Sequence, residues 1–244
     1  MHSSIFFPAL FSLACAQPAK RALPPAFFLA GDSTTAPNGG WGDAFVADLT
    51  GGANGTNYGD SGATTGSFRS AGIWDEVLAA VEGAVEEYTP YVTMQFGHND
   101  QKTGSGLDAF KGNLVQFHDE VVEAGGVPIF LTSLTRRSFE DGAVVENLAN
   151  VVEMTKEAAE QTEALIGDLN AASMEYVNAI GAEDAHTYNL DGDDNTHLNE
   201  EGAEVFAGIV GMLLKDLKPG FDEFISIDGD LVAAVEAGEY YYPE

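Results

Sequence analysis

Short apolar runs alternate along this chain with longer stretches in which apolar residues recur every three or four positions. The first pattern suits buried strands and the second suits helices with one buried face. Positions 26–31 (AFFLAG) predict the first strand, followed by a helix over 42–49 and a short strand over 56–58. Ile73, Val77, Leu78, Val81 and Val85 mark a helix over 73–87. Pro90 closes that region, and 91–96 is the next strand. Leu107, Phe110, Leu114, Phe117 and Val121 share one helical face. Positions 127–132 predict a strand entered through Pro128. A helix over 144–163 carries Val145, Leu148, Val152 and Ala159 in register, and 165–169 reads as a weak last strand. Asn199 suits a helix N-cap, with Glu200 and Glu201 against the positive end of the helix dipole. That final helix carries Val205, Phe206, Ile209, Val210, Leu213 and Leu217. The alternation argues for an α/β fold: a parallel sheet covered by helices.

The chain has 244 residues. That length suits one domain, able to bury its core without disulfides or metals. The apolar stretch 5–13 and the small residues Ala14-Cys15-Ala16 predict a secretory signal over 1–16. Lys20-Arg21 resembles a dibasic processing site, which makes 17–21 a short propeptide and 22–218 the folded domain. The acidic tail, 219–244, has no assigned role. Cys15, the single cysteine, leaves with the signal, and Asn54-Gly55-Thr56 is a glycosylation sequon. The chain is expected to be secreted.

Charge narrows the partners. The sequence holds 10 basic and 39 acidic residues, for a net charge of −29. Such a field repels nucleic acid and anionic membranes, and the longest apolar stretch is too short for a stable bilayer anchor.

In open α/β sheets, ligands bind beyond the carboxyl ends of the strands. The segments there are Gly31-Asp32-Ser33-Thr34, Asp60-Ser61-Gly62-Ala63 and Gly97-His98-Asn99-Asp100, and Asp194-Asn195-Thr196-His197 precedes the last helix. Each motif is weak alone. Their order resembles the four blocks of the SGNH/GDSL hydrolases, which supply Ser, Gly, Asn and His. The wording GDSTT, GGWGD, QFGHND and DNTHLNEEGAEV is most similar to the rhamnogalacturonan acetylesterases, extracellular enzymes that deacetylate pectin backbones. The resemblance implies a flavodoxin-like three-layer α/β/α sandwich with a mainly five-stranded parallel sheet. It also implies a secreted serine esterase acting on acetylated plant cell-wall polysaccharide.

The residue chemistry stands beside that resemblance. A serine hydroxyl needs a base to take its proton. His197 is the candidate base for Ser33, and Asp194, three residues earlier, can accept from the imidazole and fix its tautomer. The backbone N–H groups of Ser33 and Gly62 and the side-chain amide of Asn99 are candidate oxyanion donors. Gly59-Asp60-Ser61 is a second GDS, but its preceding strand is short and polar, so Ser33 is preferred over Ser61. Asp32 reads as a turn brace, and Asp100 as a brace beneath Asn99. His98 either lines the pocket or makes a structural hydrogen bond. Trp41 either stacks on a sugar or anchors a helix.

No cofactor and no metal are expected. Asp191, Asp193 and Asn195 mimic an EF-hand opening, but Thr196 stands where its glycine belongs and Gly202 where its glutamate belongs. The chain is expected to act as a monomer on acetylated polysaccharide. Two alternatives remain: a lipolytic or short-chain esterase with the same machinery, and a carbohydrate-binding pseudoenzyme on the same fold.

Overall fold

The computed structural model describes residues 23–243. The predicted signal and propeptide, 1–16 and 17–21, lie outside the described residues. The elements run β1 Pro25–Gly31, α1 Gly42–Ala47, β2 Asn54–Asn57, α2 Thr65–Ser70, α3 Ile73–Ala84, β3 Thr89–Gln95, α4 Gly104–Glu123 and β4 Val127–Leu131. They continue β5 Phe139–Glu140, β6 Ala143–Val144, α5 Ala149–Thr162, β7 Leu165–Gly167, α6 Leu169–Ala185, α7 Glu200–Leu217 and α8 Gly229–Ala237.

The main sheet has five strands in the order β2-β1-β3-β4-β7, all parallel. Because strand side chains alternate between faces, β1 feeds two cores. Phe27 and Leu29 pack with Phe45, Val205, Phe206 and Val210 beneath α1 and α7. Ala26, Phe28 and Ala30 pack with Trp74, Val77, Phe117 and Val151 beneath α3, α4 and α5. Both faces are covered, which is why β1 and β3 read as near-continuous apolar runs. The expected three-layer α/β/α sandwich is the observed one.

The N-cap at Asn199 is made: its Oδ1 accepts from the Gly202 N–H at 2.8 Å. Several elements differ from the sequence expectation. The helix expected over 144–163 starts at Ala149, because Phe139–Glu140 and Ala143–Val144 form a small antiparallel hairpin ahead of it. The strand expected over 165–169 ends at Gly167. Asp168 instead caps α6, accepting from the Ala171 N–H at 3.2 Å. Helices α2, α6 and α8 were not expected. Residues 219–243 close over the domain, burying Phe221, Ile225 and Leu231, and the hydroxyl of Tyr188 donates to the carbonyl of Tyr241.

Candidate active site

Ser33 follows β1 on a tight turn in which the Thr35 and Ala36 N–H groups both donate to the Asp32 carbonyl at 3.0 Å. Asp32 is fully buried. Its Oδ1 accepts from the Thr34 N–H at 3.0 Å and the Thr34 hydroxyl at 2.9 Å. It is the turn brace the sequence suggests. Burial pushes its carboxyl upward, but nearby His98 and the Thr34 donors outweigh burial and hold it below the ordinary value.

Gln95, the last residue of β3, was missed in the sequence. Its Oε1 accepts from the Thr34 hydroxyl and from Trp41 Nε1, each at 3.0 Å. The turn bearing Ser33 is therefore pinned to the neighbouring strand and to the entry of α1. The only hint in the sequence is a polar side chain closing an apolar strand.

His197 reaches Ser33 from the loop ahead of α7. Its Nε2 lies 2.9 Å from Ser33 Oγ, and its Nδ1 lies 2.8 Å from Asp194 Oδ2. An ionised carboxylate only accepts, so the ring proton sits on Nδ1 and Nε2 is left to accept from the serine hydroxyl. The other carboxylate oxygen of Asp194 accepts from the Thr196 and His197 N–H groups, both at 3.0 Å. Burial pushes Asp194 upward, yet the His197 and Thr196 donors prevail and hold it at about 2.

This loop is braced from beneath by Arg137, a second residue the sequence did not single out as structural. The side chain is fully buried. Its Nε donates to Asn189 Oδ1 at 2.6 Å, and one terminal nitrogen donates to the His197 carbonyl at 2.6 Å. Burial draws its pKa down to about 10, so it stays cationic at neutral pH. His186, given no role from the sequence, bonds the Arg137 carbonyl through Nε2 at 2.8 Å.

Gly62 follows β2 and Asn99 follows β3, the strands on either side of β1. Gly62 is exposed and has φ +83°, a left-handed conformation that glycine adopts without strain. Asn99 Nδ2 donates to the Ala63 carbonyl at 3.0 Å, and its Oδ1 accepts from Lys102 Nζ at 2.6 Å. These partners fix the orientation of the amide, and its second N–H has no partner among the described residues. Asp100 braces the loop below: its Oδ1 accepts from the Thr65 N–H at 2.9 Å and the Thr65 hydroxyl at 2.7 Å.

Three sequence candidates land elsewhere. Trp41 is fully buried and spends its Nε1–H on Gln95, so it cannot stack on a sugar. Of its two readings, the packing anchor holds. His98 is 1% exposed and sits behind the serine turn, with Nδ1 3.5 Å from Asp32 Oδ2, so it offers substrate no surface. Ser61 is exposed, and His197 Nε2 bonds Ser33 instead. Among the described residues, no group of acidic, histidine or cysteine side chains has the geometry to hold a metal ion.

The GDSL-like Lipase/Acylhydrolase family matches residues 29–205. Rhamnogalacturonan acetylesterase RhgT of Bacillus subtilis is 32% identical over 227 residues, covering 83% of this chain and 95% of the relative. Among solved structures, the acetylxylan esterase Axe2 of Geobacillus stearothermophilus superposes with a TM-score of 0.55 at 18% identity, covering 84% of this chain and 96% of that one. The Bacillus subtilis protein YXIM_BACsu superposes with a TM-score of 0.68 at 23% identity. This chain spans 57% of that longer protein and the match covers 80% of this one. At such identities the structural likeness speaks for the fold.

Proposed function

The chain belongs to the GDSL-like lipase/acylhydrolase family, and on that premise we propose that it is a secreted acetylesterase of rhamnogalacturonan. The observation that carries the chemistry is the chain of hydrogen bonds from Asp194 through His197 to Ser33, at 2.8 and 2.9 Å. Support for the substrate comes from the 32% identity to a rhamnogalacturonan acetylesterase over most of both chains. Support for secretion comes from the apolar segment and small residues at 5–16.

In this reading Ser33 Oγ attacks the acetyl carbonyl carbon as His197 Nε2 takes its proton. Asp194 holds the ring and stabilises the imidazolium. The oxyanion is received by the N–H groups of Ser33 and Gly62 and by the free N–H of Asn99. Each such donor is typically worth about 100- to 1,000-fold in rate. Collapse expels the sugar oxygen, which takes the proton from His197 and leaves acetyl on Ser33. Water, activated by the same histidine, then releases acetate and restores the serine.

The test is acetate release from acetylated rhamnogalacturonan and acetylated xylan, beside hydrolysis of p-nitrophenyl octanoate. The account expects rhamnogalacturonan to be the best substrate. Preference for octanoate, or for xylan over rhamnogalacturonan, overturns it.

A further inference from the structure

A pectic substrate is a polyanion, and the long-range field of a chain with net charge −29 repels it. Attraction must come from cations placed close to the bound sugar, where a short, partly desolvated contact outweighs a screened field. The described lysines and arginines are therefore informative.

Most are already committed. Arg69 makes two bonds to Glu120, at 3.1 and 2.7 Å. Lys111 pairs with Glu157 at 2.8 Å and Lys156 with Asp168 at 2.6 Å. Lys215 lies 3.9 Å from Asp222. Lys218 covers the rings of Tyr91 and Phe221, and Tyr91 sits near the amino end of β3, far along the strand from Gln95. Arg137 is buried beneath the His197 loop.

Arg136 and Lys102 remain. Neither makes an ion pair with a carboxylate among the described residues, and both bond to residues of the catalytic loops. Arg136, half-buried, donates to Thr196 Oγ1 at 3.0 Å, one residue from His197. Asp32 and Asp194 attract it, but the first is buried in its turn and the second is taken up by His197. Lys102, exposed, reaches Asn99 Oδ1 at 2.6 Å. They follow β4 and β3 respectively, on adjacent loops at the edge of the sheet that carries Ser33.

We infer that Arg136 and Lys102 form a carboxylate-reading pair that makes this site specific for acetylated sugars lying next to a uronate. The inference deepens the acetylesterase reading and rests on it for the position of the acetyl group. Arg136 supplies a planar fork suited to a carboxylate beside Thr196, and Lys102 supplies a point charge on a long stem beside Asn99. A carboxylate bound there takes up the spare donors of both cations, whereas a neutral sugar leaves them to water.

The test uses a galacturonate tetramer as competitor of p-nitrophenyl acetate hydrolysis, with uncharged xylotetraose as control. The wild-type protein should be inhibited by the galacturonate tetramer and much less by xylotetraose. Arg136→Gln and Lys102→Gln should each weaken the tetramer's inhibition about tenfold, in line with loss of one charged hydrogen bond. Raising the salt to about 0.5 M should weaken it in the wild type. Equal inhibition by both tetramers, or undiminished inhibition in both variants, overturns the pair. Failure of the acetylesterase reading shows separately, as absent hydrolysis of p-nitrophenyl acetate. Tetramer binding is then followed by calorimetry across the same proteins, with the same two outcomes deciding.

Discussion

His197 Nε2 lies 2.9 Å from Ser33 Oγ although 164 positions separate the two residues in the chain. The contact exists because β1 delivers the serine at its carboxyl end while a braced loop returns the histidine to the same edge. Asp194 completes it from three residues away. Its substitution by Asn keeps the size but loses the charge and the acceptor that fixes the ring proton. Asp194→Asn should lower kcat by up to about 10⁴-fold, less than the loss on removing Ser33, measured by p-nitrophenyl acetate hydrolysis.

The same carboxylate gives a pH expectation. Its folded pKa is depressed from 3.8 to about 2. A depressed acid contributes stability that is fully present above its unfolded pKa and is lost as pH falls through the folded value. The melting temperature should therefore drop between roughly pH 4 and pH 2. Asp194→Asn should flatten part of that drop.

Asp48 has the opposite sign. Its burial and the neighbouring Glu204 push its carboxyl from 3.8 up to about 6. A raised acid binds more protons in the folded state, so stability falls as pH rises from roughly 4 to 6. Asp48→Asn should raise the melting temperature at pH 8 and change it little at pH 4. Thermal melts at the two pH values check this.

Gly62 separates strain from space. A Cβ at this position meets nothing within 4 Å, but φ is +83°. Gly62→Ala should cost about 1–2 kcal/mol of stability from the left-handed backbone alone. The N–H survives this substitution, so kcat should fall only as far as the backbone turns to relieve the strain and draws that donor off the oxyanion, with the fold retained. Gly31→Ala is the contrast, because its Cβ would stand 2.2 Å from Thr35 Oγ1 and 2.8 Å from the Gln95 carbonyl. That variant should fail to fold, as judged by circular dichroism.

Arg137→Met removes a buried brace. The His197 carbonyl and Asn189 Oδ1 would each lose a donor at 2.6 Å. The His197 carbonyl keeps the Leu190 N–H at 3.0 Å, so Asn189 Oδ1 is the acceptor left unpaired, at a cost of about 1–3 kcal/mol. The variant should melt at lower temperature and turn over more slowly, with kcat affected more than KM.

The layers of the fold and the chemistry-bearing segments were legible because both depend on local pattern. The apolar run at 26–31 has the length and composition of a buried strand, and Asn199 before Glu200-Glu201 signals a helix start. What was not legible depends on contacts between distant segments. Helix α6 is rich in alanine, bends at Gly181 (φ +81°, ψ 172°) and lacks a periodic stripe of large apolar residues. Helix α2 is six residues long, and its signature is the capping box of Thr64 with Ser67. Gln95 gains its meaning only when β3 is laid beside β1, and the choice between Trp41's two readings, sugar platform or packing anchor, rests on its bond to Gln95. Nothing in the sequence sets Arg137 apart from the other cations, yet it is buried under the loop it supports.

The central claim is that Ser33, and not the second GDS serine, is the nucleophile. Acetate release by Ser33→Ala and Ser61→Ala, each shown to be folded, tests it most directly. The account predicts loss of turnover by about 10⁶-fold in Ser33→Ala and near wild-type turnover in Ser61→Ala. Retained turnover in Ser33→Ala would contradict it.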